Sequence, residues 1–357
     1  MQESSARSLI LEVLPAAGRL PGIDPFIFGA YHQDRYPRGN GRLGPDAALL
    51  NGRDIGMDFS RKDGWSMYHG EVVPGFPAHP HRGFETVTIV RQGLVDHADS
   101  LGATARYGQG DVQWLTTGRG AEHSEMFPLV DEREGNTLDL FQLWLNLPAK
   151  SKMVQPGFKI FWGPTIPVVR HRDAQGRDSA VEVIAGAYTP VDAASVADGA
   201  TPATPPSPPQ HSWASEPGTD VAIWIVRLQP GAQLTLPAAS PLARRALYLT
   251  TGTALSIGDS RFDEPVMVEV VADRPAPLRN DSDAVIEVLL LQGRPIGEPV
   301  VARGPIVMNT EAEVRQAVMD FQRGGFGAWP WPTRSSTFGS EPRFARYQDG
   351  RVEHPPG

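Results

Sequence analysis

Two short histidine motifs carry the chemistry this sequence offers. His79 and His81 form an HxH pair, and on an extended strand residues two apart project from the same face. His123 and Glu125 form an HxE pair that is one-faced for the same reason. HxE or HxD spacing by itself carries little, because His32/Asp34, His69/Glu71, His97/Asp99 and His171/Asp173 share it. His123 stands apart through its setting: it follows GQGDVQWLTTGRG at 108–120, a buried-looking strand that bends at glycines and then presents the imidazole. If the two strands belong to one small barrel, three imidazoles and a carboxylate can converge on a single ion and leave two places of an octahedral shell. Such a donor set suits Fe(II), Mn(II), Ni(II), Co(II) or Cu(II) better than a closed structural zinc. Satisfied polar groups of a β-domain would show the same spacing, and the spacing leaves both readings open.

Other chemistries find less support. The chain has no cysteine, which removes disulfides, thiolate nucleophiles and iron–sulfur clusters. GxSxG and GxxxxGK[ST] are absent, and GRGAE at 118–122 is too short for a dinucleotide fingerprint. The acidic residues form no distinctive pair of the kind glycosidases use. A net charge of −8 argues against nucleic acid or an anionic membrane as partner.

The elements that must position these residues are strands. The chain's 357 residues predict about two domains. Its 37 glycines and 34 prolines demand frequent turns. Short β-rich runs (ETVTIV 85–90, DVQWLTT 111–117, LDLFQLWLNL 138–147) recur between turn signals, as in an all-β sandwich or barrel. A second β-rich stretch spans about 221–293, and its RRALYLTTG at 244–252 echoes FETVTIVRQG at 84–93. Between them lies a Pro-, Ala- and Thr-rich insertion at 190–211, expected to be a mobile or extended surface segment. Thr310 with Glu313 makes a capping box for one helix over 311–323, whose Val314, Ala317, Val318 and Phe321 should pack on a sheet. The tail after 325 reads as irregular and draped over the surface. The apolar SLILEVLP near the N-terminus is interrupted by Glu12 and reads as a strand, and no run approaches the ~18 residues of a membrane span. The expectation is a cytoplasmic protein.

FPAHPHRGFETVTIV at 76–90, GDVQWLTTGRGAEHSEMFP at 110–128 and LQGRPIGEPVVARGPIVMNTEAEVRQAVMDF at 291–321 closely resemble the pirin family of the cupin superfamily. The resemblance implies an all-β bicupin. Its N-terminal, metal-binding barrel would occupy 1–150. Its metal-free C-terminal barrel would occupy 151–357, with the insertion, late helix and tail. Aligning the halves on Gly93 and Gly252 puts Ala238 and Ser240 where His79 and His81 stand. The family's ligands map onto His79, His81, His123 and Glu125; the broader cupin pattern would use Glu85 instead of Glu125.

The resemblance also implies an activity and its partners. The metal would be Fe(II) foremost, with Mn, Ni, Co, Cu or Zn as alternatives. Substrates would be a small flavonol-like aromatic and dioxygen, in a quercetin 2,3-dioxygenase reaction. Glu125 would accept the substrate's hydroxyl proton, and Arg82 would either anchor an anionic substrate or form a structural salt bridge. Phe76, Trp114 and Met126 are candidates for an apolar mouth. A second function also occurs in the family: a redox-sensing module that binds a regulatory protein partner, whose sign would be an exposed patch around 94–99 or 119–128.

Overall fold

Short β-rich runs separated by turn signals from 61 to about 148 predict a run of paired strands. The computed structural model, which describes residues 8–16, 18–198 and 201–357, contains them. They are β1 (Gly75–His81), β2 (Phe84–Gln92), β3 (Leu94–Asp99), β4 (Thr104–Gly108), β5 (Asp111–Thr116), β6 (Ala121–Met126), β7 (Asn136–Asn146) and β8 (Gly157–Phe161). One sheet runs β8-β5-β2-β7 and continues into Phe26–Tyr36. The facing sheet runs from Val352–Glu353 through Phe344–Arg346 to β4-β3-β6-β1. The ladders that join these strands run antiparallel. Two antiparallel sheets closed over one core make a cupin-type barrel, so the all-β expectation holds.

The β1–β2 corner shows why a sharp turn follows the HxH pair. Gly83 has φ +88°, and a Cβ there would sit 1.9 Å from the Val307 carbonyl oxygen. Only glycine accepts both the left-handed backbone and that approach.

The chain forms two compact units, each discontinuous in sequence. One gathers residues 30–164, 209–212 and 298–357; the other gathers those up to 29 with 165–208 and 213–297. A single division near residue 150 does not describe this grouping. The tail joins the front unit because Phe344–Arg346 pairs with β4, and because the buried Arg106 donates to the carbonyls of Gly339 and Glu341 at 2.8 and 2.7 Å. It is therefore part of a barrel rather than a loose drape.

The second unit is built on an eight-stranded sheet. Its wholly buried Ile286–Gly293 lies between Ala222–Leu228 and Arg244–Thr251. Leu247, Leu249, Val288 and Leu290 join its core. The Pro-rich insertion, whose 199–200 lie outside the described residues, is more ordered than its composition suggests. Val196–Asp198 pairs as a strand with Val168–Arg172, and Tyr188 and Ala203 exchange backbone hydrogen bonds at 3.0 and 2.9 Å.

One α-helix occurs among the described residues, α1 (Glu311–Gln322). Thr310 caps it, accepting the Glu313 N–H at 3.2 Å. Val314 and Ala317 are buried against Ile306 and Met308, whereas Val318 is exposed. The helix thus packs on the two-stranded ribbon Val301–Arg303/Ile306–Met308 rather than on a large sheet. No helix among the described residues is long and apolar enough to cross a membrane.

Candidate metal centre

β1 and β6 pair antiparallel with Phe76 opposite Glu125 and His79 opposite His123. Three residue steps on β1 match two on β6, so the ladder carries a bulge at Pro77–Ala78. Without it Phe76 and His79 would lie on opposite faces; the extra residue turns both toward the barrel interior. His81 follows two residues on, on the same face. The three imidazoles consequently cluster, with one nitrogen from each of His79, His81 and His123 within 4.8 Å of the others. Their ring centroids are 4.6–4.8 Å apart.

Hydrogen bonds fix which nitrogens face inward. His79 Nδ1 lies 2.9 Å from the Pro77 carbonyl and His81 Nδ1 lies 3.3 Å from the Pro305 carbonyl. A carbonyl only accepts, so in both rings Nδ1 carries the proton and Nε2 keeps its lone pair. His123 is fully buried, and neither of its ring nitrogens has a hydrogen-bond partner among the described residues. An orphaned buried imidazole is costly, and a cation at the cluster would take the lone pair of one of its two nitrogens. Burial pulls the His79 imidazole down to about 4, and it pulls His81 and His123 well below the usual histidine range. Neighbouring imidazoles add to the shift in each ring. Neutral imidazole is the form that ligates metal.

Glu125 Oε2 lies 3.7 Å from His123 Nε2. Its oxygens accept from Thr88 Oγ1 at 3.1 Å and Gln142 Nε2 at 2.7 Å. Burial raises its carboxyl above the ordinary glutamate range, against the opposing pull of His97, Gln142 and Thr88. The residues present therefore fit a single divalent ion, with three neutral nitrogens and a held carboxylate beside them.

Glu85 is placed elsewhere. It accepts from Trp114 Nε1 at 2.8 Å, Thr116 Oγ1 at 2.6 Å and Ser212 Oγ at 3.1 Å. On β2 it alternates with Thr88, whose hydroxyl reaches Glu125, so it occupies the opposite sheet face. Trp114 goes with it and does not line an apolar mouth. Met126 likewise alternates with Glu125 and faces away. Phe76 remains beside the cluster, its ring 6.2 Å from that of His79 and stacked at 5.1 Å on Tyr68.

Arg82 is not free to anchor a substrate. It is buried, donates from Nε to the Arg119 carbonyl at 2.6 Å and from Nη1 to Asp320 at 2.7 Å, and lies over Phe326. This is the structural salt bridge of the two readings. The stretches 94–99 and 119–128 present no exposed patch: all but Leu94 and Arg119 are buried.

Sequence reasoning passed over several residues around the cluster. The HxD pair His97/Asp99, which spacing could not distinguish, sits next to His123, with ring centroids 5.5 Å apart. Gln113 donates to His97 Nδ1 at 2.8 Å, which leaves Nε2–H facing Asp99 at 3.2 Å. Gln142 and Thr88 alternate inward on β7 and β2, and that period was their only signal. Pro305 and the tail had none.

Comparison with known proteins gives the lineage. The pirin family model matches residues 12–145, and the model of the pirin C-terminal cupin domain matches 223–327. The chain belongs to the pirin family. A pirin-like protein of Caulobacter vibrioides is 37% identical over 258 residues, covering 72% of this chain and 82% of that one. A Pseudomonas aeruginosa relative provisionally named quercetin 2,3-dioxygenase is 36% identical over 252 residues, covering 71% and 79%. Among solved structures, a quercetin 2,3-dioxygenase from Acinetobacter baumannii superposes with TM-score 0.66 at 25% identity, covering 89% of this chain and 98% of that one. Residues 328–357 lie beyond both pirin models.

Proposed function

We propose that this pirin is a cytoplasmic, mononuclear metal dioxygenase that opens flavonol-like aromatics with dioxygen, with His79, His81, His123 and Glu125 holding the ion. The observation that carries the reading is the orphaned, fully buried His123 facing two imidazoles already oriented by carbonyls. Three neutral nitrogens and one carboxylate suit a redox-active divalent ion, and among these Fe(II) is the one the family resemblance favours. When bound, such an ion acts as a Lewis acid toward a substrate oxygen.

The chain's own residues supply the rest. The Pro77 and Pro305 carbonyls lock two rings in the ligating tautomer. Glu125 is the base: its carboxylate lies 3.7 Å from His123 Nε2, beside the cluster, where it can take the proton of a flavonol hydroxyl as it loosens from the ion. Thr88 and Gln142 hold both of its oxygens in place for that transfer. Phe76, with Tyr68 behind it and the half-exposed Phe59 6.4 Å away, offers an aromatic flank to a planar substrate.

The test uses untagged protein loaded with Fe(II), following quercetin absorbance with and without oxygen and measuring metal content by mass spectrometry. Oxygen-dependent loss that disappears in His81→Ala and His123→Ala, together with the metal, is expected. Unchanged loss in those variants, or none in the loaded wild type, overturns the reading.

A further inference from the structure

Four arginines are buried in the described residues: Arg53, Arg82, Arg106 and Arg245. Three have a carboxylate at hand. Arg53 pairs with Asp58 at 2.9 Å, Arg82 with Asp320 at 2.7 Å and Arg106 with Asp96 at 2.7 Å. Arg245, at 0% exposure the most enclosed of them, has none among the described residues. Its Nε and Nη2 donate to the Gln292 side-chain oxygen at 2.8 and 2.5 Å, and its Nη1 donates to the Pro237 carbonyl at 2.7 Å. These neutral acceptors use three of the five N–H donors and offset no charge. The adjacent Arg244, on the other face of the strand, pairs with Glu269, so the alternation itself drives Arg245 inward. Burial pulls its guanidinium down to about 10, the mark of a cation lacking a counter-ion.

Arg245 lines a cavity of about 280 Å³ in the second unit, together with Asp220, Ala222, Trp224, Ala238 and Ser240. Ala238 and Ser240 are the residues that the glycine-turn alignment of the two halves sets in the places of His79 and His81. Small side chains leave room here where the front barrel has imidazoles, and a fixed cation stands in the wall. Asp220 in the same lining repels a second negative charge on the ligand, and Trp224 and the alanines supply apolar surface.

We infer that this cavity is a binding site for a small organic monocarboxylate, held by the Arg245 guanidinium with its apolar part against Trp224. The inference does not depend on the function proposed for the front barrel.

The probes are benzoate and propionate at ~10 mM, a range that reads millimolar affinity, with inorganic phosphate as the comparator. They are added to the full-length, metal-loaded protein in thermal melts and calorimetric titrations. Benzoate or propionate should raise the melting temperature more than phosphate does. The rise should persist in His123→Ala, which removes a front-barrel contribution. In Arg245→Met affinity should fall at least about tenfold, while the melting temperature without carboxylate should not drop, because an unpaired buried charge has been removed. Should Arg245→Met fail to fold, Ala238→Phe fills the cavity with the guanidinium in place and should abolish the carboxylate shift. No shift in the wild type, an equal shift in either cavity variant, loss of the shift in His123→Ala, or a larger shift with phosphate overturns the proposal.

Discussion

Arg334 holds Ala78 by both backbone groups: its carbonyl accepts the Ala78 N–H at 2.7 Å, and its guanidinium donates to the Ala78 carbonyl at 2.8 Å. Ala78 lies within the bulge that aims His79 inward. The same guanidinium reaches Glu122 at 2.6 Å, next to His123. A residue outside both pirin models thus braces the two strands that carry the imidazoles. Arg334→Met should leave the protein folded by circular dichroism and weaken metal binding about tenfold or more, in the range found when groups that orient metal ligands are lost. Competition against a chromogenic chelator measures it; unchanged affinity would show the brace to be dispensable.

The neutral imidazoles set a pH dependence. His79 is pulled from 6.5 to about 4 by burial, and His81 and His123 are likewise pulled well below the usual histidine range. Between those values the unfolded chain binds more protons than the folded one, so stability is present above about pH 6.5 and is lost as pH falls toward 4. Chelator-treated protein should therefore melt progressively lower from pH 7 to pH 4.5. His79→Gln should show a shallower slope, and a parallel one would refute this assignment.

Glu125 and Glu85 are separable by isosteric substitution. Glu125→Gln should keep most of the fold while lowering flavonol turnover by about 10²-fold or more, the usual contribution of a positioned base. Glu85→Gln should retain full metal content, because its carboxyl is engaged with Trp114, Thr116 and Ser212. Metal loss in Glu85→Gln with none in Glu125→Gln would reverse the roles.

Arg82→Met should act on stability. The Asp320 it leaves behind is partly solvated, so the loss should be about 2 kcal/mol, the scale of a charged hydrogen bond. Chemical denaturation measures it. The KM for a flavonol should stay within about twofold, since the guanidinium is occupied with Asp320 and Arg119. A large rise in KM at unchanged stability would restore the substrate-anchor role.

Much of this architecture was legible in the residues. β-rich runs and glycine punctuation marked β2, β5 and β7, and the HxH and HxE pairs marked three imidazoles that the fold does gather. Strand phase was harder. The Pro77–Ala78 bulge inverts the face of Phe76 relative to a straight strand, and nothing in FPAHPH declares which residue is extra. Facing was misjudged for Trp114 and Met126 because aromatic and thioether side chains suit either side of a sheet buried on both. The HxD pair at His97 was indistinguishable from four others by spacing, since what gives it importance is its neighbour across the ladder, Glu125. The tail's role was invisible because its contacts with Ala78, Asp96 and Arg106 span more than 200 positions.

That span has a consequence for synthesis on the ribosome. The carbonyl that orients His81 belongs to Pro305, and the clamp on the bulge belongs to Arg334. A nascent chain that has completed every strand from β1 to β8 still lacks both. The ion-holding geometry can be finished only after residue 334 has been made, and a fragment ending near residue 164 would expose its imidazoles without the groups that aim them.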